Sequence, residues 1–261
     1  MGVLNVTPDS FSDGGLWLDP DLAVKHGLRM VEQGADIIDV GGESTRPGAE
    51  AVSAEEEASR VLPVIERLAG STDALVSIDT RKPQVAQAAV DAGAVIVNDT
   101  AGEDSDEAMD QVALATGAGY IVMHSRGTPE TMRELARYED VVSEVARFLA
   151  ARAASLVASG MPRDAICLDP GFGFAKAPVQ NLEMLRRFDE FVALGYPILA
   201  GTSRKSFIGE VLDLPPDRRL EGTLATVVWS VAKGAAIVRV HDVEETVRAV
   251  KMVDAIVSGE I

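Results

Sequence analysis

KGAAIVRVHDVEETVRAVKMVDAIV, residues 233–257, reads as one complete βα unit. A glycine turn (KGAA) closes a preceding helix, as expected of a helix C-cap. Then comes a short β-rich run, AIVRVH (236–241), bounded by a further turn. EETVRAVKMVDAIV follows, with apolar residues at helical spacing. Strand residues alternate between faces, so Arg239 and His241 share one side while Val238 and Val240 share the other. Covering helices need the apolar side, so Arg239 and His241 are expected to point away from them, into an interior.

The unit recurs upstream. Strands are expected at 1–5, 36–40, 74–79, 94–98, 119–124, 165–169 and 197–201, each followed by a helix-period segment such as DLAVKHGLRMVEQG (21–34). The turn before the strand repeats as QGAD, DAGA, TGAG, SGMP and LGYP. A long helix near 139–159 and the paired segments 206–213 and 220–233 decorate the fifth and seventh units. Eightfold βα alternation without a linker or a shift in composition predicts a single-domain (β/α)8 TIM barrel over 1–261. The 261 residues match the usual size of that fold, about 250. A doubly wound α/β sheet is the alternative, but it ordinarily uses five or six strands.

Composition narrows the function. A hydrophobic content of 47% with 25% charged residues belongs to a folded chain. The net charge of −17 argues against nucleic acid or an anionic membrane surface as partner. No apolar run approaches the ~18 residues that would cross a bilayer, and MGVLNVTPDS has no basic leader, so a cytoplasmic location is expected. Cys167, the only cysteine, sits in an apolar strand and is expected to be a buried small hydrophobe. In so acidic a chain, cations gathered at one place point to an anionic ligand.

Barrel active sites form at the C-terminal ends of the strands. Those ends carry Asn5, Asp79, Asn98, Met123 with His124, Asp169, then Ser203, Arg204 and Lys205, and finally Arg239 and His241. Alternation also puts Asp79 with Ser77, and Asp169 with Cys167, on inner faces. Asp79, Asn98 and Asp169 should therefore face Lys205 and Arg239 across one mouth. A structural ion-pair network is the competing explanation. Two Gly/Ser/Pro-rich loops, NVTPDSFSDGG (5–15) and GGESTRPGAE (41–50), overhang the same mouth as candidate lids. GTSRKSFIGE lacks the Walker spacing, DPGFGFAK lacks the full dinucleotide fingerprint, and there is no HExxH or paired-cysteine metal signature.

NVTPDSFSDGG (5–15), DVGGESTRPGA (39–49), SIDT (77–80), VND (97–99), MH (123–124), DPGFGF (169–174), SRKSF (203–207) and RVHD (239–242) follow one another in the order of a known family. In these motifs the chain resembles dihydropteroate synthase along nearly its whole length. One departure is Ala175, where many relatives have glycine; it is expected to stiffen its loop.

The resemblance implies condensation of 6-hydroxymethyl-7,8-dihydropterin pyrophosphate with p-aminobenzoate, releasing pyrophosphate. It implies that Asp79, Asn98, Met123, Asp169, Phe174 and Lys205 hold the pterin, and that Asn5, Arg239 and His241 clamp pyrophosphate. Mg2+ would be held by Asn5 together with phosphate oxygens. Phe11, Thr45, Arg46, Pro47, Arg204 and Ser206 would build the p-aminobenzoate site. Lys205, Arg239, His241 and Asp79 would carry catalysis, and a homodimer and sulfonamide sensitivity are family expectations. Two alternatives stay open: a catalytically silent pterin-binding paralogue, and a pterin-dependent methyltransferase-type barrel.

Overall fold

The computed structural model describes residues 1–7, 19–44 and 51–260. Eight parallel strands alternate with helices: β1 (Gly2–Asn5), α1 (Pro20–Glu32), β2 (Ile37–Gly41), α2 (Ala54–Ala69), β3 (Leu75–Thr80), α3 (Pro83–Asp91), β4 (Ile96–Asp99), α4 (Glu107–Thr116), β5 (Gly119–Met123), α5 (Val141–Ala158), β6 (Ile166–Asp169), α6 (Pro178–Arg186), α7 (Asp189–Val192), β7 (Leu199–Ala200), α8 (Ser206–Leu212), α9 (Leu220–Ala232), β8 (Ile237–Val238) and α10 (Val243–Ser258). β1 to β6 form one continuous parallel sheet and β7 pairs with β8. Bridges Leu168↔Ile198 and Gly2↔Val240 join the two pieces into a closed barrel.

β7 and β8 are shorter than the runs 197–201 and 236–241 read from sequence. Barrel shear explains the difference in β8, where neighbouring residues pair on opposite sides. Ile237 and Val238 pair with β7, whereas Val240 exchanges hydrogen bonds with Met1 and Val3. The pre-strand glycines at 34, 93, 117, 160, 195 and 234 all take φ between +71° and +113°, a region costly for other residues. The repeated turn is therefore a backbone requirement.

The pleat sorts the side chains into two apolar layers separated by the barrel wall. Outward residues such as Leu4, Ile38, Ile78, Val97, Leu168 and Val240 join the cores of the helices. Inside, Met1, Ile37, Ile121, Cys167 and Leu199, with Ile96 and Ile237 against them, form a separate plug. Each fully buried Leu, Ile or Val contributes about 1.5–3 kcal/mol, and together the two layers fix every strand's rotation. Cys167 belongs to the plug, and burial pushes its thiol up to about 12, which makes it inert. Above the plug the inward positions turn polar. Among the described residues, no helix is long and apolar enough to cross a membrane.

Candidate active site

One step above the plug, Asp39, Ser77, Asn98, Asp169 and Arg239 follow the inward residues Ile37, Leu75, Ile96, Cys167 and Ile237 in their strands. In register, Asp39 lies opposite Ser77, Asp79 opposite Asn98, and Met123 opposite Asp169. Arg239 reaches across the barrel. Its Nε donates to Asp39 Oδ2 at 2.6 Å and its Nη2 to Asp79 Oδ2 at 2.7 Å. Asn98 Nδ2 donates to the same Asp39 oxygen at 3.0 Å, and Thr100 Oγ1 donates to Asp79 Oδ1 at 3.1 Å.

These bonds leave a remainder. Among the described residues, Asp39 Oδ1, Ser77 Oγ and Asn98 Oδ1 are buried and have no hydrogen-bond partner. Native interiors rarely leave such atoms orphaned, because each costs about 1–3 kcal/mol. Three on adjacent strands mark a surface shaped for a polar ligand rich in N–H groups.

Burial also strains the charges. Asp79 is pushed up to about 7 by burial, against the pull of Arg239 and with a further push from Asp39. Asp169 is raised by burial too, held back by the Gly171 N–H, Lys205, Lys176 and Arg239; Gly171 N donates to its Oδ1 at 2.7 Å. Lys205 is pushed down to about 8 by burial and by Arg239, opposed by Asp169 and Asp79. Burial works against the charge of Arg239, but Asp39 and Asp79 hold its pKa above the ordinary value. Perturbed groups of both signs converging in one concavity are the electrostatic signature of an active site.

The SRK turn is aimed by strain. Arg204 adopts φ +56°; its N–H donates to Thr223 Oγ1 at 2.9 Å, and its carbonyl accepts from Arg219 Nη1 at 3.0 Å. An L-residue held left-handed by such bonds is typical of functional turns. The turn sets Lys205 Nζ 4.2 Å from the centre of the Phe174 ring. Met123 is buried beside Asp169 on the neighbouring strand.

At the rim, Asn5 ends β1 opposite Gly41. A Cβ at Gly41 would lie 3.5 Å from Asn5 Oδ1 and 3.6 Å from Asp79 Cβ, so glycine keeps that gap open. His241 Nδ1 is 2.9 Å from Ser203 Oγ. Arg204 is turned onto Asp242, with Nε–Oδ2 at 3.0 Å and Nη2–Oδ1 at 2.5 Å; its guanidinium already has a carboxylate. Ser206 is exposed at the first residue of α8. Among the described residues, no group of three or more His, Cys, Asp or Glu could hold a metal ion alone. One carboxamide oxygen at Asn5 suits a magnesium ion bound mostly through substrate phosphates and water.

Asp79, Asn98, Asp169, Lys205 and Arg239, expected from sequence to face one another across one mouth, are thus gathered there, with Met123 and Phe174, named by the resemblance, beside Asp169 and Lys205. Asn5 and His241, the latter expected inward with Arg239, lie at the rim. Phe11, Thr45, Arg46 and Pro47 lie outside the described residues. Sequence reading missed Asp39, which binds Arg239 more closely than any other carboxylate does. Attention to strand ends passed over it, although the same alternation, applied to IIDVG, puts it on the inner face.

A model of pterin-binding enzymes matches residues 1–241. Dihydropteroate synthase from Bacillus subtilis (strain 168) is 48% identical over 258 residues, covering 99% of this chain and 88% of that protein. The Escherichia coli (strain K12) dihydropteroate synthase is 46% identical over 260 residues, covering 100% and 92%. Among solved structures, Yersinia pestis dihydropteroate synthase in complex with a sulfonamide drug superposes with TM-score 0.94 at 43% identity, covering 99% of this chain and 94% of that one. The Xanthomonas albilineans enzyme with 4-aminobenzoic acid gives TM-score 0.91 at 43% identity, covering 99% and 92%.

The chain belongs to the dihydropteroate synthase family.

Ala175 is buried and sits at φ +48°, a conformation that costs an L-residue about 1–2 kcal/mol and glycine almost nothing. The loop accepts the alanine because neighbouring groups pin it, Tyr138 among them, whose hydroxyl donates to the Ala175 carbonyl at 3.0 Å.

Proposed function

We infer that the chain is a dihydropteroate synthase, a transferase that joins 6-hydroxymethyl-7,8-dihydropterin pyrophosphate to p-aminobenzoate and releases pyrophosphate. The observation that carries the site reading is the orphaned set Asp39 Oδ1, Ser77 Oγ and Asn98 Oδ1 next to Asp169 and Lys205. An aminopyrimidine edge presents N–H donors and ring acceptors side by side. Asp169 and Asp39 accept its N–H groups, Asn98 and Ser77 pair with the remaining ring atoms, and Lys205 donates to a ring carbonyl or nitrogen. Phe174 and Met123 cover the apolar surfaces.

The electron-rich dihydropterin expels pyrophosphate from its exocyclic methylene, breaking the C–O bond with cationic character at carbon. The amine nitrogen then forms the new C–N bond and loses its proton to solvent. An aromatic amine arrives unprotonated at neutral pH, so stabilising the leaving group is the main task. Cationic donors placed where charge develops are the strongest electrostatic device for it. In this reading Arg239 and His241, which share one face of the run 236–241, meet that charge. Magnesium, when bound at Asn5 with phosphate oxygens, would supply further neutralisation of the pyrophosphate.

Ser206 and Arg204, with the loop residues Phe11, Thr45, Arg46 and Pro47, form the p-aminobenzoate side in this reading, which is where a sulfonamide would compete. A cytoplasmic homodimer completes it. Exposed apolar side chains on the outer helices support the dimer: Trp229 on α9, and Met252, Ile256 and Val257 on α10.

The test is pyrophosphate release from dihydropterin pyrophosphate with Mg2+, with and without p-aminobenzoate. Release that depends on the amine, with matching formation of dihydropteroate, is expected. Pterin binding without amine-dependent release would instead identify a silent pterin-binding protein.

A further inference from the structure

Behind Asp169 lies a second cation that the reaction does not touch. Lys176 is buried, and its Nζ meets three acceptors: Phe174 O at 2.9 Å, His124 Nδ1 at 3.0 Å and His124 O at 3.2 Å. Three acceptors match the three N–H bonds of an ammonium. With Lys176 charged, the contact places the His124 proton on Nε2, and burial, followed by the Lys176 charge, drives this histidine down to about 2. Burial pushes Lys176 itself down to about 7, against the pull of Asp169.

An apolar side chain could fill the same space without the several kcal/mol cost of burying an ammonium. The location of the three acceptors explains why a lysine stands there. Residues 170–176 form a strap that folds back over the end of β5. The strap passes so close that a Cβ at Gly171, which has φ +72°, would lie 2.0 Å from His124 O. His124 N donates to Asp169 O at 2.9 Å, so Lys176 ties down the far end of a strap whose near end is already fastened. The near tie is at Asp169 itself, and between it and Lys176 lies Phe174, carrying Lys205 on its ring. Lys176 also draws Asp169 toward its ionised form against the push of burial. Only as a carboxylate does Asp169 accept with both oxygens.

We propose that Lys176 is a positioning residue for the pterin end of the site, its ammonium fixing Phe174 beside Lys205 and placing positive charge behind Asp169. The proposal rests on the reading of Asp169 and Phe174 as pterin-binding groups.

The experiment compares wild type, Lys176→Met and Tyr138→Phe. Tyr138→Phe removes a neutral tie to the same strap, the hydroxyl bonded to Ala175 O. Steady-state kinetics are read alongside calorimetry with a pterin analogue and thermal melting. In Lys176→Met, KM for dihydropterin pyrophosphate and Kd for the analogue should rise about tenfold or more, equivalent to about 1.4 kcal/mol. KM for p-aminobenzoate and kcat should stay within about twofold, and Tyr138→Phe should behave as wild type. If Lys176→Met does not fold, Lys176→Gln, which keeps N–H donors but no charge, takes its place with the same expectation.

Unchanged pterin affinity in the folded variant would overturn the proposal. An equal rise in Tyr138→Phe would also overturn it, because strap anchoring alone would then account for the effect. A wild type that binds the analogue but shows no amine-dependent release would refute the synthase reading, while calorimetry would still decide the role of Lys176.

Discussion

Replacing Asp39 by Asn separates the charge of this carboxylate from its shape. In the free protein Asp39 Oδ2 accepts from Arg239 Nε at 2.6 Å and from Asn98 Nδ2 at 3.0 Å, while Oδ1 has no partner among the described residues. An asparagine keeps one carbonyl oxygen and turns its NH2 toward either the ligand or the arginine, both of which offer only N–H groups there. A hydrogen bond to a charged group contributes about 1.5–3 kcal/mol, so pterin affinity should fall by roughly 10- to 150-fold. Fold stability should suffer less than the 3–5 kcal/mol typical of a broken buried pair. Arg239 keeps Asp79, and Asp79 ionises more readily once the Asp39 charge that raises it is gone. A loss of about 1.5–3 kcal/mol, a Tm drop of order 5 °C, is expected. Calorimetry with a pterin analogue and scanning calorimetry of the free protein measure the two effects. Wild-type pterin affinity in a folded Asp39→Asn protein would show that the orphaned oxygen has no part in binding.

Lys205→Ala should lower kcat/KM at least about 100-fold, about 2.7 kcal/mol, with the protein still folded. Near-wild-type kinetics would remove Lys205 from the site. Asp79 gives a pH signature: burial raises its pKa from the ordinary 3.8 to about 7 in the fold. The folded state therefore holds a proton between those values that the unfolded chain has lost, and the stability this contributes is greatest below pH 4 and is lost as pH rises through 7. The Tm of the ligand-free wild type, measured relative to Asp79→Asn, should accordingly fall between pH 4 and pH 7.5. A flat or rising difference would mean that Asp79 is ionised throughout.

Two simple periodicities made most of the architecture legible. The eightfold alternation and its glycine turns specify the barrel, and the period-two pleat places Arg239 inward. The same pleat held the information about Asp39, but that residue lies one step below the mouth, in an apolar-looking run where strand-end reasoning does not reach. Lys176 and His124 are a different case. They are 52 residues apart, and the left-handed backbone at Gly171, Gly173 and Ala175 brings the strap down onto β5. No pattern of residue types encodes that approach. The orientation of Arg204 was hidden for a related reason, since the strained φ of its turn, not its position in the motif, sends the guanidinium to Asp242.

The barrel is not equally stitched all the way around. β1 to β6 are joined by ladders of four or five paired residues, whereas the β7–β8 pair is held to its neighbours by a single bridge on each side. Local opening follows the weakest hydrogen-bonded boundaries, so amide exchange should be fastest in the quarter running from residue 197 to 241. That quarter carries Lys205, Arg239 and His241, while the carboxylates that Lys205 and Arg239 face belong to the slowly exchanging remainder. A ligand that bridges cation and carboxylate would therefore also act as a suture, and the protection it confers should concentrate on the amides of β7 and β8.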